Sequence, residues 1–208
     1  MTARGRLITI EGIDGSGKTT LAKQLAETLG YKQIPVWLLR EPGGVQASEA
    51  IRSVVMDPAL EIGARSEALL YAAARAQLVE QAIEPALARG EWVLLDRFVD
   101  SSLAYQGGGR GLGVAAVREL NMFATGGLLP DRTLLVDLDP AAARARTGRR
   151  GEDLDRLELE DHSFYARTAL AYRQLAAAEP GRIRLLDGSQ TPALVAEQAL
   201  AALADLLG

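Results

Sequence analysis

Cysteine is absent from the 208 residues, and histidine occurs once, at His162. There can be no disulfide, no thiolate nucleophile and no thiolate metal site, and a single imidazole cannot build a histidine-rich metal cluster. Redox and zinc chemistry are therefore largely excluded. A surplus of one charge sign is missing too: 23 Lys+Arg stand against 27 Asp+Glu, a formal charge of −4. That balance argues against coating nucleic acid or an anionic membrane, so any anion must be held locally. Long apolar runs are also lacking. The run after Arg4-Gly5-Arg6 is only five residues long, too short for the core of a signal peptide or for a membrane span. The expectation is a cytoplasmic chain with neither nucleic acid nor membrane as partner. Core-forming material is present in ordinary amounts, 48% hydrophobic and 24% charged residues. That suffices for one domain over residues 1–208.

Short Val, Leu and Ile runs alternate with longer stretches of helical period. Strands are expected at Leu7 to Glu11, Val36 to Arg40, Trp92 to Asp96, Thr133 to Leu138 and Arg182 to Leu186, each nearly continuous in apolar residues. Such strands are covered on both faces, as in a parallel sheet. Helices are expected at about 17–29, 44–57, 64–89, 113–124, 140–147, 157–178 and 191–207. The βαβ order predicts an α/β fold, a three-layer α/β/α sandwich around a parallel five-stranded sheet with right-handed crossovers. Ligands of such sheets collect beyond the carboxyl ends of the strands.

Directly after the first strand comes Gly12-Ile13-Asp14-Gly15-Ser16-Gly17-Lys18-Thr19, followed by Thr20. It matches the G-x-x-x-x-G-K-[ST] phosphate loop in full, in the required place between a strand and a helix. The glycines let backbone N–H groups turn toward phosphate oxygens, Lys18 reaches the outer phosphates, and Thr19 offers a hydroxyl to Mg²⁺. About 0.003 accidental matches are expected in a chain of this composition. The loop implies a nucleoside triphosphate but is shared by ATPases, switches and kinases.

The third strand ends Asp96-Arg97-Phe98, and Ser102, Tyr105 and Gln106 follow. An acid at that strand end can hold the hydration shell of Mg²⁺, and the next Arg can bridge phosphates. Asp137, at the end of the fourth strand, competes for the metal role, and Asp96 is also readable as a turn carboxylate. Ser102, Tyr105 and Gln106 share a helical turn suited to a sugar or base, although polar residues after a strand are ordinary loop chemistry. Tyr71 and Arg75, four apart on the long helix, could stack on a base and donate to its carbonyl. Equally they could be a core tyrosine and an arginine paired with Glu67 or Glu80.

Taken together, Glu11 through Thr20, Arg40-Glu41-Pro42-Gly43-Gly44, Asp96-Arg97-Phe98 through Gln106, Pro130-Asp131 and Asp155-Arg156-Leu157-Glu158 resemble the bacterial thymidylate kinases over nearly the whole chain. The resemblance implies the nucleoside monophosphate kinase form of the P-loop fold. It also implies transfer from ATP to dTMP with Mg²⁺ and a homodimer. By the same resemblance Tyr71 stacks on thymine, in place of a commoner Phe, and Arg75 bonds the base's exocyclic oxygen. Ser102 and Gln106 lie on the base side, and Tyr105 crowds the sugar 2′ position. Asp14 and Glu41 are acids near the 3′-hydroxyl and metal, while Arg52 and Arg97 hold the acceptor phosphate. Ala74 departs from the family's pattern, replacing an acid common before the helix Arg.

The phosphate loop itself has no arginine among its variable residues, so the charge that meets the migrating phosphoryl group has to come from elsewhere. The segment at about 144–156, with Arg144, Arg146, Arg149, Arg150 and Arg156 and possible hinges at Gly148 and Gly151, reads as a lid; its alternative is a solvated loop. Arg149 is the first choice for the transferred phosphate, then Arg156 and Arg150. His162 reads as a surface or half-buried helix residue, and Asp187-Gly188-Ser189-Gln190 resembles the family's adenine-side loop. The rival readings are another pyrimidine nucleotide or deoxynucleoside kinase of the same fold, and a nucleotide-dependent switch.

Overall fold

The structure is a computed structural model that describes residues 4–148 and 155–207. Arg149 and Arg150, the expected lid arginines, lie outside the described residues. Five parallel strands, β1 (Leu7–Glu11), β2 (Val36–Arg40), β3 (Trp92–Asp96), β4 (Arg132–Asp137) and β5 (Ile183–Asp187), form one sheet in the order β2-β3-β1-β4-β5. β1 is central and buried throughout, which is why its sequence carries no polar alternation. Its neighbours are β3 on one side and β4 on the other, so the chain after β1 emerges where the strand order reverses, the crevice in which open α/β sheets bind ligands.

Alternation along β1 divides the core. Ile8 and Ile10 face α1 (Lys18–Tyr31) and α9 (Pro192–Ala202), packing with Leu21, Leu25, Leu94, Val136 and Val195. Leu7 faces the other layer, with Val93, Leu95, Leu135 and side chains from α3 (Ala64–Leu78), α4 (Glu84–Ala88), α6 (Val114–Ala124) and α8 (His162–Ala178). α2 (Gln46–Met56), α5 (Val99–Ser102) and α7 (Pro140–Thr147) frame the crevice. No helix among the described residues is long and apolar enough to cross a membrane.

Three departures from the expected elements have local causes. The expected helix 64–89 widens into a π-helical turn at Val79–Ile83, just before Pro85, which has no N–H for the carbonyl four residues back and whose ring crowds it. α8 starts at His162, not at 157, because the Asp161 side chain caps it by accepting the Phe164 N–H at 2.8 Å. The third follows β3, where the sequence suggests only the helical turn shared by Ser102, Tyr105 and Gln106: α5 runs on as a π-helical segment, Leu103–Gly109.

Gly107-Gly108-Gly109 is where this segment meets α8. A Cβ on Gly108 would lie 2.5 Å from Ala171 Cβ, and one on Gly109 2.5 Å from Thr168 Oγ1 and 2.7 Å from Phe164 Cε2. Only glycine permits this approach. Gly109→Ala is expected to destabilise the protein by about 2 kcal/mol through overpacking and lower the thermal midpoint by about 4–8 °C. Scanning calorimetry checks this, and an unchanged midpoint contradicts it.

Candidate active site

The phosphate loop leaves β1 and enters α1 through Gly17, whose φ of 104° is a left-handed conformation suited to glycine. Thr19 Oγ1 donates to Asp96 Oδ2 at 2.7 Å. Strand register accounts for the meeting, since Asp96 is level with Ile10, just before the loop. Asp137, the rival acid, is instead held by Arg173 at 3.0 Å. Ser16 is buried, and no described residue reaches its hydroxyl, as expected of a donor waiting for a phosphate oxygen.

Lys18 is only 5% exposed, and its Nζ donates to Ile13 O at 2.9 Å. Burial, then Arg97, push its pKa down, against the pull of Asp14, Asp96 and Glu11, leaving it at about 8. On the outer side of the loop a cavity of about 420 Å³ runs past Thr20, Gln24, Arg146, Gly188 and Gln190. The Asp187–Gln190 turn that forms its wall is closed by Ser189 N–H donating to Asp187 Oδ1 at 2.9 Å.

A second cavity of about 410 Å³ extends from Asp14, Lys18 and Thr19 to Tyr71, Arg75, Ser102, Tyr105 and Gln106. The two cavities share Gly15, Gly17 and Thr20 as their border. Arg97 stands at the head of this cleft in a left-handed backbone conformation, φ 72°. Its N–H donates to Ile10 O at 3.0 Å. The next amide, Phe98 N–H, donates to Glu11 Oε1 at 2.7 Å. Thus anchored, the Arg97 guanidinium reaches Asp14 Oδ1, Gly12 O at 3.2 Å, Ser101 Oγ at 3.2 Å and Tyr105 OH at 3.2 Å. Tyr105 OH donates to Asp14 Oδ2 at 2.8 Å. Burial pushes the Asp14 pKa up, but Arg97, Lys18 and these hydrogen bonds outweigh it and hold the carboxyl at about 2.

Glu11 ends β1, and the sequence by itself suggests no role for it. It is fully buried, accepts Phe98 N–H, Ser101 N–H, Ser101 Oγ–H at 2.5 Å and Tyr172 OH at 2.8 Å, and so ties the start of α5 to β1. Burial, then the nearby Asp100, raise its pKa to about 7. The signal for it was a carboxylate inside a strand that has no solvent-facing side.

Arg75 is 1% exposed and pairs with Glu41, not with Glu67 or Glu80. Its Nε and Nη2 donate to Glu41 Oε2, Nη2 also to Phe98 O at 2.9 Å, and Nη1 to Ser102 Oγ at 2.9 Å and to Asn121 Oδ1. All five guanidinium hydrogens thus have acceptors. Asn121 carried no signal, lying 46 residues away on α6. Glu41 is buried with Oε1 unpartnered among the described residues, and burial raises its pKa despite Arg75. Arg52 donates to Pro42 O at 2.9 Å and lines the same cleft.

Arg156 is held by Glu67 and by the end of α2. Its Nη2 pairs with Glu67 Oε2 at 2.5 Å, its Nε donates to Val55 O at 3.0 Å, and its backbone N–H donates to Met56 O at 3.3 Å. It fastens the chain after residues 149–154 to the end of α2. His162 is exposed at the first position of α8.

Comparison with known proteins agrees across the chain. The model of the thymidylate kinase family matches residues 10–199. A thymidylate kinase of Halorhodospira halophila is 45% identical over 209 residues, covering 100% of this chain and 97% of its own. One from Lactobacillus delbrueckii subsp. bulgaricus is 47% identical over 190 residues, 90% of each chain. The crystal structure of a thymidylate kinase from Ehrlichia chaffeensis superposes with a TM-score of 0.78 at 30% identity, covering 96% of this chain and 99% of that one.

Proposed function

The chain belongs to the thymidylate kinase family, and from that premise we infer how its own residues serve the reaction, ATP plus dTMP to ADP plus dTDP. The observation that carries the reading is the pairing of two cavities across one phosphate loop, one reaching Arg146 and Gln190, the other reaching Tyr71, Arg75 and Gln106. A nucleotide-dependent switch needs the first alone.

We assign the loop amides, the Ser16 hydroxyl and Lys18 to the phosphates of ATP, with adenine lying toward Arg146 and Gln190. Thr19 and Asp96 suit Mg²⁺, a hard cation that keeps most of its water and takes few protein oxygens. The two oxygen groups lie 2.7 Å apart, and the described residues hold no cluster of three or more His, Cys, Asp or Glu that would cage a metal alone. Bound there, the ion would neutralise phosphate charge as the phosphoryl group moves. Arg97 and Arg52 take the acceptor phosphate. Asp14, held ionised by Arg97, keeps that guanidinium aimed into the cleft. Arg144 and Arg146 on α7 begin the proposed lid and Arg156 ends it, while Arg149 and Arg150 lie outside the described residues.

Tyr71 lies along the base, and the Ser102 hydroxyl, which accepts from Arg75, has its own hydrogen free for a base carbonyl. Tyr105 cannot retreat from the sugar: its hydroxyl is tied to Asp14, and its ring meets Phe164 and Tyr172 edge-on at 6.0 and 6.2 Å. A 2′-hydroxyl there would find no room. We place the enzyme in the cytoplasm as a homodimer. Support for the dimer is the exposure of Leu69 on α3 and of Met122 and Phe123 on the adjoining α6.

A coupled assay with ATP and a panel of monophosphates tests the reading. The expected order is dTMP, then dUMP, with dCMP and UMP scarcely used. If dCMP rivals dTMP, the chain is a kinase for another pyrimidine nucleotide. If no monophosphate accepts, the switch reading takes its place.

A further inference from the structure

A non-glycine residue in the left-handed region persists only where its surroundings over-determine it. Arg97, at φ 72°, is such a residue, and it carries the guanidinium assigned to the acceptor phosphate. Its own N–H is anchored on Ile10 O at 3.0 Å. The backbone that follows is fastened by Glu11, which ends β1 with no exposed surface and whose two carboxylate oxygens have separate partners.

Oε1 holds the main chain, accepting Phe98 N–H at 2.7 Å and Ser101 N–H at 3.2 Å. Oε2 holds side chains, accepting the Ser101 hydroxyl at 2.5 Å and the Tyr172 hydroxyl at 2.8 Å. Each hydroxyl has one hydrogen, and both are directed at the carboxylate, so the Ser101 oxygen keeps its lone pairs for a donor. That donor is Arg97 Nη1 at 3.2 Å. Glu11 thus reaches Arg97 by two routes, one through the backbone and one through the serine hydroxyl.

Two amides can be capped without a carboxylate, since a serine or asparagine oxygen accepts as well and costs far less to bury. Here burial and the neighbouring Asp100 push the Glu11 pKa up, while the Ser101 hydroxyl and Arg97 pull it down. The attraction is mutual: an acid that Arg97 helps to ionise holds the guanidinium in return. Asp100 is not a substitute, because it is paired with Arg182 at 2.6 Å.

We propose that Glu11 is a positioning residue for phosphoryl transfer: it fixes the strained turn at Arg97 and, through the Ser101 hydroxyl, the direction in which the Arg97 guanidinium meets the acceptor phosphate. The inference rests on the assignment of Arg97 to that phosphate and adds the buried acid that aims it.

The test is a double-mutant cycle read in kcat/KM for dTMP at saturating ATP. In Glu11→Gln the amide oxygen can still accept from Phe98 and Ser101 N–H, so the turn should survive, while the NH₂ replaces the acceptor of the two hydroxyls and the charge is lost. The parameter should fall by about tenfold or more, with KM for ATP within about twofold of wild type. Placed in Arg97→Met, the same substitution should cost less than about twofold, because the group it positions is gone. A purely structural acid would cost as much in either background.

Ser101→Ala cuts the hydroxyl route alone and leaves Glu11 with both amides, so it decides the matter even if Glu11→Gln does not fold. It should lower kcat/KM for dTMP by about threefold or more, again only while Arg97 is present. Wild-type kinetics in the folded Glu11→Gln enzyme, or an equal loss with and without Arg97 for either substitution, overturns the proposal. Should Arg97→Met alone leave dTMP kinetics near wild type, the acceptor-phosphate assignment fails and takes the proposal with it, a separate result seen before the cycle is closed.

Discussion

Lys18→Met should lower kcat by about 10³-fold or more, because the ammonium stabilises charge on the phosphates during transfer and methionine offers no substitute. The fold should survive. Lys18 is buried on Ile13 O. An apolar chain of similar length fits that place, and losing a charge that burial disfavours should leave the thermal midpoint unchanged or raise it. Burial and Arg97 also bring the lysine to about 8, which predicts a particular pH dependence. The protonated form binds phosphate, so kcat/KM for ATP, which reports the free enzyme, should fall as pH rises through about 8. Bound phosphates hold the cation, so kcat should persist to higher pH. Steady-state kinetics across pH together with calorimetry check both halves. A well-folded Lys18→Met enzyme within tenfold of wild-type kcat would remove the phosphate-loop assignment.

The second large effect is expected at Arg97. Arg97→Met should reduce kcat/KM for dTMP by about 10²- to 10³-fold, the loss typical when one well-placed donor to a developing charge is removed. Arg97→Lys keeps the charge without the fork that spans Asp14, Gly12 O and Tyr105, and should fall between the two. The variant also changes Asp14. With Arg97 gone, the burial that pushes this carboxyl up is opposed, among the described residues, by Lys18 and the hydroxyls of Tyr105 and Tyr165. Its pKa should climb from about 2 into or above the usual carboxylate range, visible as a new acid limb in the pH profile of kcat/KM for dTMP. If Arg97→Met leaves KM and kcat for dTMP near wild type, the acceptor phosphate is held elsewhere, Arg52 being the next candidate.

Residues whose partners are near in sequence were legible before any fold was known. β1, β2 and β3 fall on their expected boundaries, because a nearly continuous apolar run bounded by polar residues favours a parallel strand, even at the sheet edge, where Trp37 and Leu38 of β2 stay exposed. The helix over Val99–Gly109 was legible only as the turn that Ser102, Tyr105 and Gln106 share, and for the opposite reason. Its glycine run signals a loop locally, and only the close face of α8 makes glycine the residue that helix needs.

What the sequence by itself determined about this protein is the phosphate loop, the sheet that carries it and the set of side chains available to a second substrate. In the loop the function resides in consecutive residues: the backbone turn, the lysine and the hydroxyl are adjacent along the chain, and no distant contact is needed to place them. Only the tertiary structure decided how the remaining polar groups pair. Arg75 meets Glu41 across 34 residues, Gln106 meets Glu67 across 39, and Arg156 reaches the same Glu67 across 89. A buried charge or amide must find a partner, but composition and period leave several partners open. The choice among them belongs to the packing of α3, α5, α8 and the sheet, because that packing sets which groups are brought within hydrogen-bonding distance once water is excluded.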